Sequence, residues 1–299
     1  MRAVSFRKDP GLSARMGGVG LGLGALYVLF GVVLMQWLGS AVLGFAVVLI
    51  MAAGQWFFSD TLALRSMRAK VVTPQQAPEL HAMIDRLCLQ AGLPKPKVAI
   101  AQTDLPNAFA TGRSPSRSAV CVTTGILQRL TADELEGVLA HELAHVANRD
   151  VSVMTVASSL GLLAGFVTQW GFLLGGNRNR NNGGPAFIVV WLVSMVVYFL
   201  SFILTRSLSR YRELSADRRG AYLTGDPRQL ATALQKISGD MSRLTPAQVE
   251  QTQGASAFFF APALSRQSFS ALFSTHPPLE QRLAQLAQIE VELRNPGAS

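Results

Sequence analysis

Charge is scarce in this chain. Only 15% of its residues are Asp, Glu, Lys or Arg, against about 25% in an ordinary soluble domain. Hydrophobic residues reach 49%, and that balance points to a membrane. Cysteine is scarcer still: Cys88 and Cys121 are the only two, far apart and with no CxxC. They exclude a disulfide framework and a thiolate zinc site, and both read as buried small apolar residues in a reducing compartment. Acidic residues number 18 against 27 basic ones, giving a net charge of +9 and a pI near 10.2. Such an excess would suit nucleic acid, but no nucleic-acid module is present. The basic residues flank apolar segments, so they read as determinants of membrane orientation.

The apolar segments are long. No charged residue occurs from 16 to 59. A membrane helix needs about 20 apolar residues, so this span holds two helices and a tight turn near 36–40. Arg2, Arg7, Lys8 and Arg15 precede it, and Arg65, Arg68 and Lys70 follow. Basic flanks at both ends put both ends of this hairpin in the cytoplasm. A cleaved signal peptide would need a much shorter apolar core. Residues 151–177 and 181–205 are also uncharged, with Arg178 and Arg180 between them. They form a second hairpin, or one that stays within the protein without fully spanning. Arg178 and Arg180 oppose the positive-inside rule, but Arg206, Arg210, Arg212, Arg218 and Arg219 outnumber them.

Histidine is rare as well, with four in 299 residues. Two of them stand in His141-Glu142-Leu143-Ala144-His145, an H-E-x-x-H sequence. The run before it starts a helix. Thr131 and Glu134 are spaced as a capping box, and Leu135, Val138 and Leu139 fall at helical spacing. Positions i and i+4 share a helical face. His141 and His145 therefore aim two imidazoles at one point, which suits zinc, and Glu142 sits where a general base is needed. A solvated helix face carrying these residues is the plainer alternative.

A third ligand belongs on another element. Glu213 and Asp217 offer two carboxylates at i and i+4. Glu213 is the expected ligand. Asp217 then accepts from a ligand imidazole and fixes its tautomer. Should Glu213 fail in that role, Asp217 is next. A solvated charge cluster is the other reading, because four arginines surround both acids.

The rest is read more coarsely. Residues 71–130 look like soluble α/β structure, with a helix over 75–91 carrying a surface or half-buried His81. A short strand covers 98–101 and another 118–124. Either the 118–124 strand or 107–111 could be a sheet edge to which an extended substrate adds by main-chain bonds, the alternative being an ordinary core strand. Asp226-Pro227 opens a helix as N-cap and first residue. Phe258-Phe259-Phe260-Ala261-Pro262 is an apolar loop, and Pro277-Pro278 begins a final amphipathic helix.

HELAH, then a hydrophobic hairpin, then R-E-L-S-A-D-R-R-G-A resembles the HtpX family of integral-membrane zinc metallopeptidases, distant relatives of the CAAX prenyl proteases. L-P-N-A-F-A-T-G at 105–112 and T-H-P-P-L-E-Q-R at 275–282 match too. The resemblance runs from about residue 20 to 290. It implies a heat-shock or quality-control protease that cuts misfolded or damaged membrane proteins, with one Zn²⁺ per chain. It also implies that Asn107 contacts substrate and that His276 and Arg282 are catalytic, stabilising the tetrahedral oxyanion. For His276 a helix-cap contact is the alternative, and for Arg282 an ion pair with a structural carboxylate.

The expected architecture is mainly α and integral to the membrane. Four transmembrane helices in two hairpins carry a cytoplasmic α+β zincin-like domain with a small sheet. The divisions are a basic segment at 1–15, hairpins at 16–59 and 151–205, and the two parts of the metallopeptidase domain at 60–150 and 206–299. The setting is a bacterial-type inner membrane, multi-pass, with both termini and the active site cytoplasmic. The partners are polypeptide substrates, drawn from membrane proteins, and the lipid bilayer, with no nucleic acid. In the mechanism, zinc on His141, His145 and Glu213 leaves a position for water, and Glu142 takes the water's proton and passes it to the leaving amine. Two rival functions are a CAAX-type processing protease and a chaperone or assembly factor with structural zinc. A transporter is disfavoured because no charge lies inside the apolar segments.

Overall fold

The structure, a computed structural model, describes residues 10–38, 46, 49–50, 53–54, 57–58, 61, 63–150, 164, 184–241 and 277–295. The turn after residue 38, the segment 151–183 apart from Ala164, the apolar loop at 258–262 and His276 lie outside the described residues. Among those described, the chain is mostly helical with one small mixed sheet. It divides into two units: 10–58 with 152–208, and 1–9 with 59–151 and 209–299.

The first unit contains helix α1 (Pro10–Leu38) and the first part of α5 (Gly184–Thr224). The first helix is described from Pro10, and proline in a first turn loses no hydrogen bond. Two described spans are long and apolar enough to cross a membrane, Pro10–Val33 and Ile188–Thr224. Only 11% and 22% of their most apolar windows are buried. Leu21, Val28, Ile188, Val189 and Phe199 are exposed. A helix that shows such surface to its surroundings needs an apolar solvent. Leu23 and Phe30 pack with Ala164 and Val197. Within the apolar run, Ser194 Oγ donates to Val190 O at 2.7 Å, which satisfies its hydroxyl locally.

The second unit contains the sheet. Strands β1 (Lys70–Val71), β2 (Lys97–Ala101), β3 (Ala108–Ser114) and β4 (Arg117–Thr123) stand in the order β1-β2-β4-β3. β2 and β4 are parallel, and the other pairs are antiparallel. β4 is therefore interior, paired on both sides. Of the two strands considered as a substrate edge, only β3 has a side with no neighbour among the described residues.

Helix α2 (Pro78–Ala91) buries Leu80, Ile84, Leu87, Cys88 and Ala91 in the main core. His81 is buried rather than half-exposed, and its Nε2 lies 3.1 Å from Val72 O. A short helix, α3 (Thr124–Arg129), leads to α4 (Ala132–Ala147). The capping box is formed: Glu134 N–H donates to Thr131 Oγ1, and Thr131 N–H donates to Glu134 Oε2. Leu135, Val138, Leu139 and Leu143 then enter one core with Leu230, Leu234 and Ile237 of α6 (Pro227–Met241). Leu286 and Ile289 of α7 (Leu279–Arg294) complete it. Each such side chain contributes about 1.5–3 kcal/mol. The centre of α4 is thus held rigidly, and the HELAH residues ride on it.

Candidate metal centre

His141, Glu142 and His145 occupy the last two turns of α4 and are all buried. The sheet lies on one side of them and α5 on another. α5 is continuous through the apolar run into the acidic stretch, so Glu213 and Asp217 do share a helical face. Gly220, one turn further on, brings the two helix backbones together. A Cβ there would stand 2.9 Å from His141 N and 3.1 Å from His141 Cα.

Three ligand atoms converge. His141 Nε2 and His145 Nε2 are 3.1 Å apart. Glu213 Oε1 is 3.4 Å from His145 Nε2, and its Oε2 is 3.6 Å from His141 Nε2. Ligands about 2.0–2.1 Å from a tetrahedral zinc stand about 3.3 Å from one another, so this trio fits the ion. Among the described residues, this is the one cluster of three or more His, Cys, Asp or Glu able to hold a metal.

Both imidazoles are gripped from behind. His141 Nδ1 lies 2.8 Å from Asp217 Oδ1, and His145 Nδ1 lies 2.7 Å from Asp150 Oδ2. A carboxylate there draws the proton to Nδ1 and leaves the Nε2 lone pair for a metal. Each aspartate meets an arginine in turn. Arg282 Nε and Nη2 donate to Asp217 at 2.7 and 2.6 Å. Arg212 Nε is 3.0 Å from Asp150 Oδ1. All four of these side chains are buried. Glu142, Glu213, Asp150 and Asp217 together outnumber the two guanidiniums by two charges when the imidazoles are neutral. A divalent cation balances that excess, and without one the burial of these charges is costly.

The titration behaviour follows from the same surroundings. Burial works against the charged form of His145, but the Glu213 charge and the Asp150 hydrogen bond outweigh it and push the pKa up to about 10. For His141, burial is likewise overridden by Asp217 and Glu213, and its pKa rises. Burial raises the pKa of Glu142 above the usual carboxylate range. Glu142 Oε2 accepts from Ala110 N–H of β3 at 2.7 Å, which fixes the carboxylate beside the imidazoles.

The remaining expected site residues are placed as follows. Arg282 is 2% exposed and commits two nitrogens to Asp217. This is the ion pair weighed as the alternative to a catalytic role. Asn107 is buried, its backbone N–H donating to Thr123 Oγ1 at 2.9 Å. Asp150 and Arg212 were not singled out from the sequence. The available signal was that Asp150 is the last charge before an apolar run, a costly place for an unpaired carboxylate.

Comparison with known proteins agrees with this geometry. Residues 74–290 match Peptidase family M48. The chain belongs to that family. It is 50% identical over 290 residues to "Protease HtpX homolog" of Moorella thermoacetica, covering 95% of this chain and 96% of that one. It is 50% identical to "Protease HtpX homolog 1" of Streptomyces coelicolor, covering 96% of both chains. With "Protease HtpX homolog 2" of Methanosarcina acetivorans the identity is 45%, over 96% of this chain and 98% of that one. In fold, it is similar to the crystal structure of S. mikatae Ste24p, with a TM-score of 0.57 and 17% identity over 93% of this chain and 67% of that one. This M48 peptidase is therefore a membrane metalloprotease, a hydrolase of peptide bonds. The sequence resemblance to the HtpX family holds over nearly its whole length.

Proposed function

We propose that this M48 peptidase is a zinc-dependent endopeptidase that cuts misfolded or damaged membrane proteins at the cytoplasmic face of an inner membrane, which it crosses four times in two hairpins. The observation that carries the reading is the convergence of His141 Nε2, His145 Nε2 and Glu213 with the Glu142 carboxylate beside them. His141, His145 and Glu213 would hold one zinc. Bound there, zinc supplies a Lewis acid and a water that ionises near neutral pH.

The protein's own groups do the rest. Asp217 keeps the proton of His141 on Nδ1, and Arg282 holds Asp217 in place. Ala110 N–H pins Glu142 Oε2, so Oε1 takes the proton of the attacking water and passes it to the leaving amine. Burial strengthens Glu142 as a base. β3 stands at one end of the described strand order and meets this carboxylate at Ala110, a place where an extended substrate strand can add by main-chain bonds. His276 stabilises the developing oxyanion, a role carried by the family resemblance. Quality control suits a site that reads main chain rather than one side chain.

The test compares the detergent-purified parent with Glu142→Ala, counting bound zinc and following cleavage of an unfolded reporter protein. The variant should keep its zinc and lose cleavage. His145→Ala and Glu213→Ala should lose both. Tight zinc binding with full cleavage in Glu213→Ala would remove Glu213 from the ligand set and put Asp217 in its place.

A further inference from the structure

Asp150 and Arg212 have no part in the ligand set, yet they are buried against it. Asp150 is 0% and Arg212 7% exposed. Asp150 is the last residue before the uncharged run 151–177. Arg212 follows the uncharged run 181–205 and immediately precedes Glu213. Their ion pair therefore ties the chain entering the apolar segments to the chain leaving them.

The backbone is bent to make this possible. Arg149 has φ 57, one of two non-glycine residues with positive φ among those described. That conformation costs about 1 kcal/mol or more for an ordinary side chain. It turns the chain off the end of α4 so that Asp150 faces back onto His145. Asp150 spends one oxygen on His145 Nδ1 and the other on Arg212.

We infer that Asp150, held by Arg212, is the positioning residue for His145: it sets the tautomer and aim of the second zinc ligand, and couples both to the ends of the apolar segments. This rests on the zinc site proposed above. Asp217 and Arg282 serve His141 with the same chemistry from the opposite side. The two ligands are thus oriented independently, one from α5 and one from the residue after the α4 turn. Removing the Asp150 carboxylate frees the His145 ring to rotate and to place its proton on Nε2, where it blocks the metal. Partners of this kind typically change metal affinity by about tenfold to a hundredfold.

The experiment uses the full chain in detergent, with Glu142→Ala as background to prevent self-cleavage. Zinc affinity is measured by chelator competition, and the visible spectrum is recorded with cobalt in place of zinc. Asp150→Asn keeps the shape of the side chain and loses its charge. It should weaken zinc binding about tenfold or more and shift the cobalt bands. In the Glu142 parent, the same substitution should give cleavage that recovers at saturating zinc with KM unchanged. A merely structural role would lower the thermal midpoint but leave zinc affinity and the cobalt spectrum alone, and that result overturns the inference. If Asp150→Asn does not fold, Arg212→Lys decides: zinc binding weakened about threefold or more supports the inference, and parent affinity overturns it. A background chain that binds no zinc at all sinks the metal site itself, which is a separate outcome.

Discussion

Gly220→Ala is the sharpest probe of how the site is assembled. The added Cβ would meet His141 N at 2.9 Å, His141 Cα at 3.1 Å and Ala140 C at 3.2 Å. All three are backbone atoms of α4, so no side chain can rotate away. Ordinary contact begins at 3.4 Å, so α5 must retreat from α4 by about half an ångström. Overpacking of this kind costs about 1–3 kcal/mol, while replacing glycine by alanine in a helix returns about 1 kcal/mol. Net stability therefore falls by only about 0–2 kcal/mol, and the fold survives. The metal centre does not share that tolerance, because ligand distances must hold to about 0.2 Å. Glu213 and Asp217 ride on α5 with Gly220, whereas His141 and His145 ride on α4, so the retreat opens the ligand set across its middle. Zinc affinity, measured by chelator competition, should fall about tenfold or more, and cleavage should fall with it, while the thermal midpoint moves little. Gly239→Ala is the control, since its Cβ meets nothing within 4 Å; it should leave both unchanged or add up to about 1 kcal/mol of stability. Parent-like zinc affinity in Gly220→Ala would refute the view that this backbone contact sets the ligand geometry.

Further outcomes are expected elsewhere. Thr131→Ala removes one half of the capping box at the start of α4 and should cost about 1 kcal/mol in denaturant unfolding, with zinc content unchanged. Stripping the metal with a strong chelator leaves the buried carboxylates of the site unbalanced. The thermal midpoint should drop and recover on adding zinc, and no drop would mean that the ion contributes nothing to folding. Burial pushes the Cys88 thiol up to about 11 and the Cys121 thiol up to about 12. Both should resist alkylation at pH 8 until the protein unfolds. Their folded pKa values lie above the ordinary thiol value of 9.0. Their contribution to stability is therefore full below pH 9 and is lost as pH rises through 11 to 12, as a denaturation series across that range would show.

The candidate metal-binding pattern was legible in the sequence because it is local. His141 and His145 are four apart, and a capping box with Leu135, Val138 and Leu139 fixes the helix beneath them, so one face is determined before any tertiary contact forms. The apolar runs were legible for the same kind of reason, since their exclusion of charge is a property of consecutive residues. The sequence also proposed Glu213, because an acidic pair at i and i+4 after an apolar run is a visible pattern. What it could not supply was distance between elements. The pairing of β4 on both sides, which puts β3 at an end of the described strand order, depends on a parallel contact between β2 and β4 that no short-range pattern announces. Arg282, read by resemblance as catalytic or else as the partner of a structural carboxylate, lies against Asp217, and a contact between residues 65 apart is announced by no local pattern. Asp150 went unnoticed, since its value lies in a turn at Arg149 and a partner beyond two apolar segments. Local periodicity determined which side chains could bind a metal. Only the packing of α5 on α4 through Gly220 decided which of the buried charges hold those side chains in place.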